Sequence, residues 1–168
     1  MPPNSSPAPS SRSSLWDFAA RVYARPDVQA ACLALQDDHG QCVSFLLWRL
    51  WALREGRPVA AALLGDAVLT ARTWESAATA PLRTVRRRLK TLPSTIPADS
   101  QIRLREAILA AELESERLLL DALEAATPPP AGGLTPSPER ALAAAALAWG
   151  GATAAPARLL KVLAATRS

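Results

Sequence analysis

The chain has 168 residues, of which 49 % are apolar and 20 % are charged, and its formal net charge is +4. This composition is typical of a globular protein with one core, and no run of about 18 uninterrupted apolar residues occurs, which argues against a transmembrane helix. Only two cysteines are present, and the N-terminus lacks the apolar stretch of a secretory signal, so we expect a cytoplasmic protein.

The first helices are marked by residues that start and stop helices. Residues 1–13 are rich in serine and proline, and we expect them to form a disordered tail. Ser14 followed by Asp17 three positions later resembles a capping box and predicts a helix start. Pro26 suits the first turn of a second helix, and Gly40 suits its end.

The next segment predicts the centre of the fold. From Cys42 to Arg54 the chain is apolar almost all round, a pattern typical of a helix buried on every side. Gly56 ends this helix, and Pro58 opens the next, which we expect to run to about residue 78. The central helix should therefore be covered by its neighbours.

The rest of the chain also reads as helical. Pro81 begins a short basic helix, and Asp99 is expected to cap the longest helix. With no strand pattern, the sequence predicts an all-α protein, a compact bundle of about seven helices without a sheet. The expected organisation is a tail at 1–13, a helical core domain at 14–126, a Pro/Gly linker at 127–137, and a C-terminal helical segment at 138–168 packing on the core.

One stretch gathers most of the residues that metal or thiol chemistry needs. Cys32, Asp37, Asp38, His39 and Cys42 lie between two apolar runs. A zinc site usually draws its ligands from closely spaced pairs, and these cysteines are ten positions apart with no second pair. We interpret the stretch as a corner between two helices, with Cys32 in the core. The sequence thus predicts no metal site, no cofactor and no catalytic residue.

Two charged residues fall among apolar neighbours. Arg49 lies in the apolar helix, and Asp66 lies in the next helix with apolar residues before and after it. Because an unpaired buried charge is costly, we predict a buried ion pair between Arg49 and Asp66. The alternatives are that Arg49 extends to solvent or binds a ligand in a pocket.

A basic stripe follows in the sequence PLRTVRRRLK. On a helix, Arg83, Arg86, Arg87 and Lys90 share one face. Such a stripe is a candidate surface for a protein partner or for a nucleic-acid backbone. The interpretation we favour for the stripe itself is a solvated face, or a face paired to the acidic residues of the longest helix, which are Glu106, Glu112, Glu116 and Glu124.

The stretches SLWDFAARVYARPDVQAACLALQDDHG and PLRTVRRRLK, with an apolar Trp/Leu helix between them, carry a resemblance to a known family. The chain resembles a bacterial family designated domain of unknown function 2390, over roughly residues 14–126. After the glycine that corresponds to Gly40, the family's sequence pattern continues with Asp-Val-Asn. At these positions this chain has Gln41, Cys42 and Val43. The resemblance implies a helical, cytoplasmic, proteobacterial protein, and it implies no activity or ligand.

Together these observations favour a non-enzymatic helical protein that binds or regulates a protein partner, using either the basic stripe or an apolar groove. A nucleic-acid-associated accessory protein that uses the stripe is the first alternative. A carrier of a small apolar or anionic ligand within the bundle, with Arg49 as the anion anchor, is the second. The sequence predicts neither the identity of the partner nor the oligomeric state.

Overall fold

The computed structural model of the protein describes residues 14–91, 95–132, 135–151 and 154–166, so the tail predicted at 1–13 lies outside the described residues. Every regular element in this part of the chain is helical, which confirms the predicted all-α bundle without a sheet. The elements are α1 (Leu15–Tyr23), α2 (Pro26–Asp37), α3 (Val43–Arg54), α4 (Ala61–Trp74), a π turn (Glu75–Thr79), α5 (Ala80–Arg88), α6 (Ala98–Ala126), α7 (Pro138–Trp149) and α8 (Ala157–Ala164).

The predicted start of α1 is confirmed. The hydroxyl of Ser14 accepts a hydrogen bond from the backbone N–H of Asp17 at 3.1 Å and donates one to the Asp17 carboxylate at 2.8 Å. The backbone N–H of Leu15 donates to the carboxylate of Glu124 at 2.8 Å, so α6 satisfies another free amide of α1. A negative charge at this end of a helix also suits its dipole.

Helix α3 is the centre of the bundle, as predicted from its apolar sequence. It packs against α1, α2, α4, α6 and α7, and eight of its residues are buried. Trp48 is fully buried, and its indole N–H donates to the hydroxyl of Thr127 at 2.8 Å. That hydroxyl donates in turn to the carbonyl of Leu123 at 2.6 Å. The polar atom of a large core side chain is thereby satisfied at the C-terminal end of α6.

The corner between α2 and α3 is confirmed. Gly40 adopts a φ of 63°, a left-handed conformation that glycine tolerates, and the N–H of Gln41 donates to the carbonyl of Leu35 at 2.9 Å. The end of α7 docks on this corner, because the Trp149 indole donates to the Gly40 carbonyl at 2.8 Å. The Gln41 amide donates to the carbonyl of Gly150 at 3.0 Å. The corner is therefore a docking point for the C-terminal segment.

Both cysteines near this corner are buried and form no disulfide. Burial raises the pKa of the Cys32 thiol to about 12. Burial is also the largest cause that raises the pKa of the Cys42 thiol to about 12. Both thiols are therefore protonated at neutral pH, as expected for small core residues rather than reactive nucleophiles.

The helix boundary expected at Pro81 is wrong. Helix α4 continues through the π turn into α5 without a break, so the described residues form seven continuous helical rods. The wider π turn accommodates the proline that would otherwise clash one turn back. It is anchored on α6, because the hydroxyl of Thr79 lies 2.5 Å from that of Ser115 and the Trp74 indole donates to the Ser115 carbonyl at 2.8 Å.

Helix α5 and the N-terminal half of α6 form an antiparallel hairpin. Helix α5 packs mainly on α6 and the π turn, and it contains no buried residue. Helix α6 begins at Ala98 after Pro97, so Asp99 lies in the first turn rather than at the predicted cap. The first buried residue of α6 is Glu112, at the midpoint of the helix. The hairpin therefore extends from the core and presents much of its surface.

The C-terminal helices α7 and α8 pack on the helices that precede them. Helix α7 packs on α3 and α4, and α8 packs on α2 and α7. The segment between α6 and α7 is tied to the turn after α3, since the N–H of Ala131 donates to the Gly56 carbonyl at 3.0 Å. Within the part of the chain that the structure describes, no helix is both long and apolar enough to cross a membrane.

Candidate functional site

A groove opens between α1, α2, α3 and α6, where these helices diverge. It encloses a cavity of about 490 Å³, a volume in the range of small-molecule and side-chain binding sites. Its floor and walls are mostly apolar and come from α1, α2, α3 and α6: Trp16, Leu33, Val43, Leu47, Leu109, Leu113 and Leu120. The charged groups that reach it come from α5 and α6, whereas α1, α2 and α3 contribute uncharged polar residues.

The mouth of the groove is edged by exposed leucines. Leu33 on α2 is 44 % exposed, and Leu109 and Leu113 on α6 are 40 % and 48 % exposed. Ile102, also exposed, lies seven positions before Leu109 and so on the same face of α6. From Ile102 to Leu113 this stripe runs about 16 Å along the helix. Arg105 and Glu106 lie between Ile102 and Leu109 on the same face, so the apolar part of the stripe next to the groove is Leu109 and Leu113. Exposed apolar side chains grouped at the mouth of a groove are typical of a binding surface.

The polar wall of the groove is a cluster of ion pairs around Arg83. Its guanidinium contacts three carboxylates, at 2.7 Å from Glu75 in the π turn, 3.0 Å from Glu112 and 3.3 Å from Glu116. Arg86 makes two hydrogen bonds to the Glu112 carboxylate, the longer of them 3.2 Å. Arg86, Glu112 and Glu116 also line the cavity. The cluster therefore fixes the hairpin to the core and forms one side of the groove.

Burial and charge act in opposite directions on these groups. Burial by itself would lower the pKa of Arg83, but the carboxylates of Glu75, Glu116 and Glu112 outweigh it and raise the pKa. For Glu116, burial is the largest cause and raises the pKa of the carboxyl, against the opposing effect of Arg83. The folded structure therefore disfavours the ionised form of the Glu116 carboxyl.

Replacing Glu116 by glutamine should be tolerated at neutral pH. A carboxyl with a raised folded-state pKa contributes stability that is present below its unfolded pKa and lost as the pH rises through its folded pKa. Since glutamine does not ionise, the melting temperature of Glu116→Gln relative to wild type should increase from about pH 4 to about pH 7. Thermal denaturation at several pH values measures this difference, and a pH-independent difference would contradict it.

In the structure, the four residues of the predicted basic stripe differ in their ion-pair partners and in their exposure. Arg83 and Arg86 are engaged in the ion-pair cluster, so they are not free for a partner. Arg87 pairs with Asp37 of α2, and both side chains are largely exposed, at 49 % and 41 %. Lys90 is exposed at the end of the hairpin. A role of the stripe in partner binding stays a prediction, now confined to Arg87 and Lys90.

The predicted ion pair between Arg49 and Asp66 is wrong, because the ion pairs of the described residues include none between them. Arg49 is buried on α3, whereas Asp66 is exposed on α4. Helix α4 buries Ala67 and Ala71, and a residue next to Ala67 is rotated about 100° from that face. Asp66 is therefore exposed even though its neighbours in the sequence are apolar.

Two parts of the site were missed from the sequence. Glu75 was not connected with the stripe, because a new helix was expected at Pro81. If the helix is continued through the π turn, Glu75 and Arg83 lie two turns apart and can meet. The apolar groove was raised only as an unlocated possibility, since helix periodicity gives the apolar face of each helix but not the gaps between helices.

Within the described part of the chain, no group of three His, Cys, Asp or Glu side chains is arranged so that it could hold a metal ion. In the Arg83 cluster the carboxylates face guanidinium groups instead. The arrangement is suited to holding one wall of the groove rigid. Charged pairs with two or more contacts restrict side-chain motion more than single exposed pairs do.

The fold and the groove define an all-α bundle with an open apolar groove and an internal ion-pair cluster. The chain belongs to the family described as protein of unknown function (DUF2390), whose model matches residues 14–123. The matched part contains α1 to α5 and most of α6, so it includes the groove and the cluster, whereas α7 and α8 lie outside it. Neither the curated proteins nor the solved structures contain a match to this chain.

Proposed function

We propose that this protein is a non-enzymatic, cytoplasmic interaction or regulatory module whose groove holds an amphipathic helix of a protein partner. The observation that carries the proposal is that the cavity opens onto the exposed leucines Leu109 and Leu113, which line it, with Ile102 exposed further along the same face of α6. An amphipathic helix presents anchors at spacings of three, four and seven residues, which suit an elongated apolar strip. A small ligand would use the cavity but not the strip.

Charge at the end of the groove supports a partner of defined chemistry. The contacts of Arg83 with Glu116 and of Arg86 with Glu112 set an antiparallel register between α5 and α6. This register places Arg87 and Lys90 alongside the turn of α6 that carries Leu109. We therefore expect the partner helix to combine leucine-sized apolar residues with acidic residues near the end that lies against α5.

The basic stripe gives less support to the nucleic-acid alternative. Phosphate binding requires cations that can exchange counterions for phosphates. Arg83 and Arg86 already pair with carboxylates inside the protein, and Arg87 pairs with Asp37 at the surface. Among the described residues, this leaves Lys90 as the one member of the four without an ion pair. The crosslinking experiment that follows also shows whether the protein contacts nucleic acid.

A photo-crosslinking amino acid at position 113, in living cells of the source organism, tests the proposal. We expect crosslinks to one partner protein, mapped by mass spectrometry to a Leu/Ile-containing segment flanked by acidic residues and unchanged by nuclease. The control carries the crosslinker at Leu147, which is 83 % exposed on α7, away from the groove. Crosslinks to a second copy of this chain, to nucleic acid or to a small molecule would overturn the proposal, as would equal crosslinking from both positions.

A further inference from the structure

Arg49 is a buried cation that has no counterion among the described residues. The residue is only 8 % exposed, and it forms no ion pair with any described residue. All fifteen Asp and Glu residues of the sequence lie within the described part of the chain. Burial lowers the pKa of the Arg49 guanidinium, and no nearby charge opposes this effect. An unpaired charge in such a position destabilises a fold.

Arg49 lines a second cavity, which is separate from the groove. This cavity measures about 320 Å³ and lies between the C-terminal end of α3, the turn at residues 56–60 and the segment on the N-terminal side of α7. Leu53, Val59 and Thr135 are among the residues that line this cavity. None of the described residues that line it is Asp or Glu. The cavity therefore combines apolar walls with positive charge.

Arg57 supplies a second guanidinium to the same cavity. Its Nη1 donates to the carbonyl oxygens of Thr127 and Pro128 at 3.3 and 3.2 Å, and its guanidinium lies 4.7 Å from the centre of the Trp51 ring. Its Nε is buried without a hydrogen-bond partner. These contacts hold the side chain in place before any ligand arrives, and preorganised charge binds an anion at a lower entropic cost.

We propose that this second cavity binds a small organic anion, with a single carboxylate or phosphate head at Arg49 and a short apolar body against Leu53 and Val59. Guanidinium groups bind both kinds of oxyanion through paired hydrogen bonds. The anion supplies the missing counterion, which accounts for an arginine at a position that methionine or leucine would fill more stably. The site is independent of the groove and of its partner.

Calorimetric titration with hexanoate, hexyl phosphate and inorganic phosphate tests the site, with hexanol as the uncharged control. We expect hexanoate or hexyl phosphate to bind wild type and hexanol not to bind. In Arg49→Met, which keeps an unbranched apolar stem and removes the guanidinium with its charge, binding should weaken at least tenfold. The same variant should melt at a higher temperature than wild type in the absence of ligand, because it no longer buries an unpaired charge.

Comparison of the anions and of the variants distinguishes the possible results of the titration. Stronger binding of hexanoate than of hexyl phosphate assigns a carboxylate ligand, and the reverse order assigns a phosphate ester. A groove variant, Leu113→Glu, should bind the same anion as wild type does. Equal binding by wild type and Arg49→Met would overturn the proposal, as would no binding of any of the three anions.

Discussion

Replacing Arg83 by methionine should lower the free energy of unfolding by about 3–5 kcal/mol, the range found when one partner of a buried charge pair is removed. The side chain of Arg83 is only 12 % exposed and contacts three carboxylates. Without it, Glu75, Glu112 and Glu116 would face one another with only Arg86 to compensate them. Chemical denaturation with urea, followed by circular dichroism, measures the loss.

The matched control is Arg87→Met, one turn further along α5. Arg87 pairs only with Asp37, and both side chains are substantially exposed. Exposed pairs contribute about 0–1 kcal/mol, so this variant should unfold almost as wild type does. Similar losses from the two variants would show that the cluster has no special role in holding the hairpin to the core.

The effect of Arg83→Met should also depend on pH. The repulsion among the three carboxylates disappears when they bind protons, and the unfolded chain carries no such repulsion. The folded variant therefore gains protons more readily than its unfolded state, and its deficit against wild type should be largest at neutral pH. The deficit should shrink as the pH falls to about 5. A constant deficit would contradict the electrostatic explanation.

Changing Leu109 and Leu113 together to glutamate should weaken the crosslinked partner's affinity by at least about 100-fold, which corresponds to about 3 kcal/mol. A leucine side chain buried in an interface contributes about 1.5–3 kcal/mol, and a charge in an apolar groove adds a desolvation cost. Both leucines are already exposed in the free protein, so the fold should remain intact. Fluorescence anisotropy with the mapped partner segment as a labelled peptide measures the change.

Leu104→Glu combined with Leu118→Glu provides the matched control. These leucines lie on the same helix and are 51 % and 47 % exposed. Each is five positions from its counterpart in the groove, about 140° around α6, so neither faces the groove. The control should bind the partner as wild type does. Equal losses from both double variants would mean that general surface hydrophobicity, rather than the groove, recruits the partner.

The elements that local signals predicted well are those that depend on one helix at a time. Ser14, Pro26 and Gly40 marked their helix ends correctly, because capping and φ preferences act over three or four residues. The central position of α3 was also predicted, since a helix that is apolar all round must be covered. The corner at residues 38–42 followed from the same signals.

Predictions that required the relative rotation of helices were less successful. Asp66 was expected to meet Arg49, but α4 packs through Ala67 and Ala71 and turns Asp66 outward. For the basic face of α5, the alternative of pairing with the acids of the longest helix is confirmed for Arg83 and Arg86. The sequence did not predict that Arg87, on the same face, reaches α2 instead. Small differences in helix rotation decide which charges meet, and sequence periodicity does not resolve them.

The sequence by itself determined the helical class, the main helix starts and the burial of α3, because capping residues and apolar periodicity act locally. Only the tertiary structure decided where the helices part to leave the groove, that Glu112 is buried between two arginines, and that Arg49 faces a cavity without a counterion. The physical reason is that a cavity or an ion pair depends on the spacing and rotation of several helices at once. Those are set by how all the side chains of the core pack together.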